Sequence, residues 1–80
     1  MGKINKKVYE NMCETLDENR EVTLMGKTND FYLHISFDYD IPIACDEMGY
    51  EIKRYKEYKE ILKEYNINPD NIGEYQVEMY

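Results

Sequence analysis

Hydrophobic positions change period several times along the chain. Ile4, Val8, Met12 and Leu16 recur every fourth residue, and Tyr9 and Cys13 widen that stripe. Lys6, Lys7, Glu10, Asn11 and Glu14 fall outside it, so residues 5–16 are predicted to form an amphipathic helix. Asp17-Glu18-Asn19-Arg20 is a polar break. Residues 21–25 then read as a short strand with Val22 and Leu24 on one face. Residues 26–30 read as a turn, with glycine and asparagine available for positive φ. Between residues 31 and 39 the alternation is strict. Phe31, Leu33, Ile35 and Phe37 point one way, and Tyr32, His34, Ser36 and Asp38 the other, as in a strand with one buried and one wet face.

Residues 41–45 are a candidate third strand. Pro42 confines it to an edge or a strand start, because proline donates no ladder bond. Residues 46–49 read as a loop. Tyr55, Tyr58, Leu62 and Tyr65 follow a 3-4-3 spacing with Ile52 and Ile61 beside them, which predicts a second helix over residues 50–65. Asn66 suits the left-handed position after its end, with Ile67 as the accompanying apolar contact. Asn68-Pro69 opens one more helical turn, closed by Gly73. Tyr75, Val77 and Met79 then alternate with Gln76, Glu78 and Tyr80, a strand that stays ordered by pairing with the hairpin. The predicted fold is α+β in the order α-β-β-(β)-α-β. It has one small antiparallel sheet of three to four strands, with two helices on its apolar face.

The chain of 80 residues makes one domain, residues 1–80, and a 42% hydrophobic content is too high for disorder despite a net charge of -7. No apolar run approaches a membrane span, and residues 1–7 carry charge with no apolar stretch behind it. Lys6 at the sixth position argues against myristoylation at Gly2. Cys13 and Cys45 make no disulfide framework, so the expected compartment is reducing, with both thiols free; with the codon bias below, the expected location is the cytoplasm of a bacterial host cell. Frequent Lys, Asn, Ile and Tyr, all with AT-rich codons, are consistent with an AT-rich bacterium or its phages.

Charge is unevenly spread. No Lys or Arg lies between Lys27 and Lys53, where Asp30, Asp38, Asp40, Asp46, Glu47 and Glu51 all fall. After Lys63 come only Glu64, Asp70, Glu74 and Glu78. If the last strand joins the hairpin, Glu74, Glu78 and Tyr80 share the wet face with Tyr32 and Asp38, and residues 38–47 form its acidic rim. Of nine tyrosines, Tyr9, Tyr55, Tyr58, Tyr65 and Tyr75 suit the core; Tyr32, Tyr39, Tyr50 and Tyr80 are candidates for exposure. Carboxylates beside exposed tyrosines are either a solubilising surface or a docking face for a basic partner. Tyrosine offers a large rigid contact, and carboxylates steer association.

Catalytic and metal chemistry find less support. His34 is the only histidine and has no visible partner, so it reads as a surface residue. Asp38 and Asp40 with Asp46 and Glu47 offer oxygens to a hard cation, but not at EF-hand spacing. Cys13, Cys45 and His34 lack the C-x-x-C pair of a zinc site. No cofactor is called for. The basic residues Lys53, Arg54, Lys56, Lys59 and Lys63 are assigned to the second helix, and this layout resembles the double-stranded-RNA-binding fold in topology. Glu57 and Glu60 interrupt the run, and net negative charge repels phosphate, so direct nucleic-acid binding is not expected.

In size, charge, α+β layout and acidic-aromatic surface the chain resembles the small acidic inhibitors carried by phages, anti-CRISPR proteins above all. The resemblance implies a non-catalytic, nucleic-acid-mimicking inhibitor that occupies the basic groove of a nuclease or defence complex. Asp38, Tyr39, Asp40, Asp46, Glu47 and Tyr50 would be its main contacts, with Glu74 and Glu78 in support. The alternatives are an antitoxin or immunity protein against a toxic nuclease, a small metal-dependent enzyme using the carboxylates of residues 38–47, and a self-assembling domain such as a homodimer.

Overall fold

The structure is a computed structural model that describes residues 2–80. Helix α1 spans Gly2–Asp17, followed by strands β1 (Val22–Gly26), β2 (Tyr32–Asp38), β3 (Ile41–Cys45) and β4 (Glu51–Arg54). Helix α2 is Tyr58–Glu64; a single 3₁₀ turn (Ile72–Glu74) then leads into β5 (Tyr75–Met79). The five strands form one antiparallel sheet in the order β4-β3-β2-β1-β5. The class is α+β, with one strand more than the alternation predicts.

Helix α1 follows its apolar stripe. Met12 and Leu16 are fully buried against Val22 and Leu24 of β1 and Leu33 and Ile35 of β2. Ile61 and Leu62 of α2, with Ile67 and Ile72, complete the same cluster. Each of these side chains contributes about 1.5–3 kcal/mol on leaving water. Ile4, expected in the stripe, is exposed. The end of α2 forms as predicted. Asn66 takes φ +55°, and the Ile67 N–H reaches back to the Leu62 carbonyl at 2.8 Å. The Asn68 side chain accepts from the N–H groups of Asp70 and Asn71 and so opens the last turn. As expected, β5 is held by the hairpin, with Leu24 opposite Val77.

The second helix is the principal correction. Its first half is strand β4, because a tight turn reverses the chain after β3. The Asp46 carboxylate accepts from the N–H groups of Met48 and Tyr50, each at 2.9 Å, and Gly49 takes φ +85°. The helix proper starts at Tyr58, where the Glu60 carboxylate satisfies the N–H groups of Lys56 and Glu57. A bulge between Ala44 and Cys45 shifts the β3–β4 register. Strand β3 is therefore internal. Pro42 is tolerated near its start, where its carbonyl accepts from the Tyr55 N–H at 2.9 Å. The extra strand also breaks the topological likeness to the RNA-binding fold, since Lys53 and Arg54 sit on a sheet edge rather than a helix.

The β1–β2 turn also closes differently from expectation. Among the described residues, positive φ occurs at Asn19, Tyr39, Asn66 and Gly49, and none of these lies in that turn. Instead, the Asn29 side chain accepts from the Phe31 N–H, and a side chain on Gly26 would collide with it. No helix among the described residues is long and apolar enough to cross a membrane.

Candidate functional site

Both helices cover one face of the sheet, and the strand registers define what the other face presents. One row crosses all five strands: Glu78, Thr23, His34, Cys45 and Glu51 lie side by side. Its centre is closed by its own side chains, Thr23 being only 2% exposed. His34 has two partners that its sequence context does not reveal. Its Nδ1 lies 2.7 Å from the Thr23 hydroxyl and its Nε2 lies 2.7 Å from the Glu21 carboxylate. The order hydroxyl, imidazole, carboxylate is that of a nucleophilic triad. Here the hydroxyl is shut away from solvent, and the chain of bonds ties β1 to β2. The Tyr80 ring lies 6.3 Å from the imidazole.

Residues 38–47, expected to form one rim loop, contain strand β3 and are split into two turns. At about 3.3 Å per residue, the ends of a five-residue strand lie roughly 15 Å apart. Asp38, Tyr39 and Asp40 occupy the β2–β3 turn; Asp46, Glu47 and Tyr50 occupy the β3–β4 turn at the opposite end. The two carboxylate pairs therefore do not converge. Among the described residues no group of three or more His, Cys, Asp or Glu is placed to hold a metal ion.

At the β2–β3 end, acids meet partners. Arg54 Nη1 bonds Asp38 at 2.8 Å, and its Nε bonds Glu51 at 2.9 Å. The guanidinium thereby reaches across β3 on the open face, where Ile43 is buried. Asp40 accepts from the Asn19 amide at 2.9 Å. Nearby, Tyr58 donates to Asp17, and Tyr55 donates to Glu64. Burial and these carboxylates push both phenols well above the usual tyrosine range. The same hydrogen bond, with Lys53 at 3.2 Å, lowers Glu64.

At the other end the β1–β2 and β3–β4 turns lie side by side. They frame a depression of about 460 Å³ lined by Asp30, Glu47, Phe31, Tyr32 and Met25 among others. Tyr50 and Met48 are exposed on the adjoining turn. Glu74 belongs to the turn entering β5, and its carbonyl accepts from the Lys27 N–H. Among the described residues, Asp30, Asp46, Glu47, Glu74 and Glu78 enter no ion pair. Asp30 and Tyr32 belong with this group, although sequence reasoning did not select them as contacts. Tyr32, a candidate for exposure by its alternation, is half-buried.

Tyr39 stands apart. It takes φ +59° at the tip of its turn while 92% exposed. A bulky side chain in that region costs about 1–2 kcal/mol, and no packing within the chain offsets it. The cysteines are free, and burial raises both thiols above their usual range, with Glu51, Asp46 and Glu21 adding to the effect at Cys45. Comparison of the chain with protein-family models, curated proteins and solved structures finds no match.

Proposed function

We infer that this chain is a non-catalytic inhibitor of the anti-CRISPR kind. It docks an acidic, aromatic end of its sheet onto the basic nucleic-acid-binding surface of a nuclease or defence complex. The observation that carries this reading is the depression between the β1–β2 and β3–β4 turns. Asp30 and Glu47 lie there with Tyr32 and Phe31, and no lysine or arginine is among its lining residues. Unpaired carboxylates steer the molecule towards positive potential, and the aromatic surface between them supplies apolar contact area. Glu74, Asp46 and Tyr50 extend this surface and Glu78 continues it onto the open face. Tyr39 is a second aromatic anchor on the far turn. Its side chain, solvent-exposed on a strained backbone, suits a ring held ready for a partner.

The experiment is capture of host-cell proteins on the immobilised chain, identification by mass spectrometry, and competition with nucleic acid. The expected partner is a basic nucleic-acid-handling protein that is released as salt rises and loses its nucleic acid when the chain binds. A captured partner that keeps both its nucleic acid and its activity contradicts inhibition by occlusion. Neighbouring genes then separate a defence complex from a toxin as the target.

A further inference from the structure

A second surface, between β4 and α2, has the reverse charge. Strand β4 is an outer strand of the sheet, paired only with β3. Between it and α2 lies an open groove of about 690 Å³ that includes Lys53, Arg54, Lys56 and Lys63 with Glu60 and Glu64. Both carboxylates are already engaged. Glu60 accepts from the Lys56 and Glu57 N–H groups; Glu64 accepts from Tyr55 and Lys53. Lys56 and Lys63 enter no ion pair among the described residues. In a chain of net charge -7 this groove is a local positive site.

The strand beside it has free backbone groups. Tyr55 donates its N–H to Pro42 of β3, so by antiparallel alternation the N–H and C=O of Arg54 point away from the sheet. All four residues of β4 are exposed. Lys53, opposite Ala44, projects to the helix-covered side; Arg54, opposite Ile43, projects to the open side. An added strand would therefore find main-chain partners at Arg54 and cations on the groove side.

We propose that the free edge of β4 receives an extended acidic peptide segment of a partner protein. The main chain of that segment pairs with Arg54, and alternate carboxylates lie in the groove against Lys53, Lys56 and Lys63. Free edge and positive groove together select a strand-forming, acidic ligand. A phosphate backbone would use the groove and leave the Arg54 amide unpaired.

The test uses the full chain and a fluorescein-labelled peptide of alternating glutamate and valine, read by anisotropy. Controls are the glutamine–valine counterpart and a single-stranded oligonucleotide of equal charge. The acidic peptide is expected to bind at least ~10-fold more tightly than the glutamine peptide. Binding should fall by about the same factor in K56E/K63E, whose substituted side chains are exposed. In the folded complex the Arg54 amide should gain protection from hydrogen exchange. Equal binding of the glutamine peptide, tighter binding of the oligonucleotide, an unprotected Arg54 amide, or doubling of mass without peptide each overturns the proposal. A D30K/E47K variant, altered only at the acidic end, should bind the acidic peptide at least as well as the parent, so this result stands apart from the reading above.

Discussion

The two ends of β3 carry similar residues and differ in what meets them. At the β2–β3 end, Asp38 faces Arg54, Asp40 faces Asn19, and Asp17 and Glu64 accept from Tyr58 and Tyr55. Its acids are spent on holding turn, helix and edge strand together. At the β3–β4 end, Asp30, Glu47 and Glu74 meet no cation among the described residues, while Asp46 closes its turn and Glu51, at the start of β4, pairs with Arg54. Composition cannot distinguish these uses of a carboxylate. Geometry can, and it moves the candidate docking site towards the end where the charge is uncompensated.

Both ends hang from the same core, so the largest effect comes from breaking the core. Leu24→Ala, at a fully buried position between β2 and β5, should cost about 3 kcal/mol in urea denaturation and loosen both ends together. A loss at one end alone would mean that the ends are independent units.

Alkaline pH should separate them. The pKa values of Tyr55 and Tyr58 are raised in the folded chain, by burial first and then by Glu64 and Asp17. Their contribution is fully present below the ordinary tyrosine value of 10.0 and is lost as pH rises above it. As the pH is raised, protection from amide exchange, taken relative to the base-catalysed intrinsic rate, should therefore fall in α2 and the β2–β3 turn before the β1–β2 turn. Simultaneous loosening would show that the phenol–carboxylate bonds do not hold that end.

A smaller effect isolates Tyr39. Tyr39→Asn should stabilise the chain by roughly 0.5–1 kcal/mol in a thermal melt, because asparagine tolerates the left-handed backbone. The same change should weaken partner binding. A fall in stability would mean that the exposed ring contributes to the fold after all.

The parts of the fold that could be read from the sequence are those buried on one side only. In α1 and β2 the apolar positions keep one period, and in Asn66-Ile67 the helix stop has its usual residues. Strand β4 was hidden because Tyr55 is the buried residue that follows a strand yet falls in helical register with Tyr58 and Leu62. The true helix start carries Glu57, where Ser, Thr, Asp or Asn is the usual signal. The partners of His34 depend on Thr23 lying opposite it, and that register follows from how Asn29 closes the turn. Of the candidate contacts, Asp46, Glu47, Tyr50 and Glu74 fall at the acidic end. Asp38, Tyr39 and Asp40 fall at the other end, because a strand separates what sequence proximity had joined.

The central claim is that the carboxylates of the uncompensated end, and not those of the compensated one, meet the partner's basic surface. The most direct measurement compares two charge reversals, D30K/E47K and D38K/D40K, by association rate with the captured partner at low salt. The account predicts a rate reduced by about 10–100-fold for the first pair and by less than about 3-fold for the second. Equal losses for both pairs, or a larger loss for Asp38 and Asp40, would contradict it.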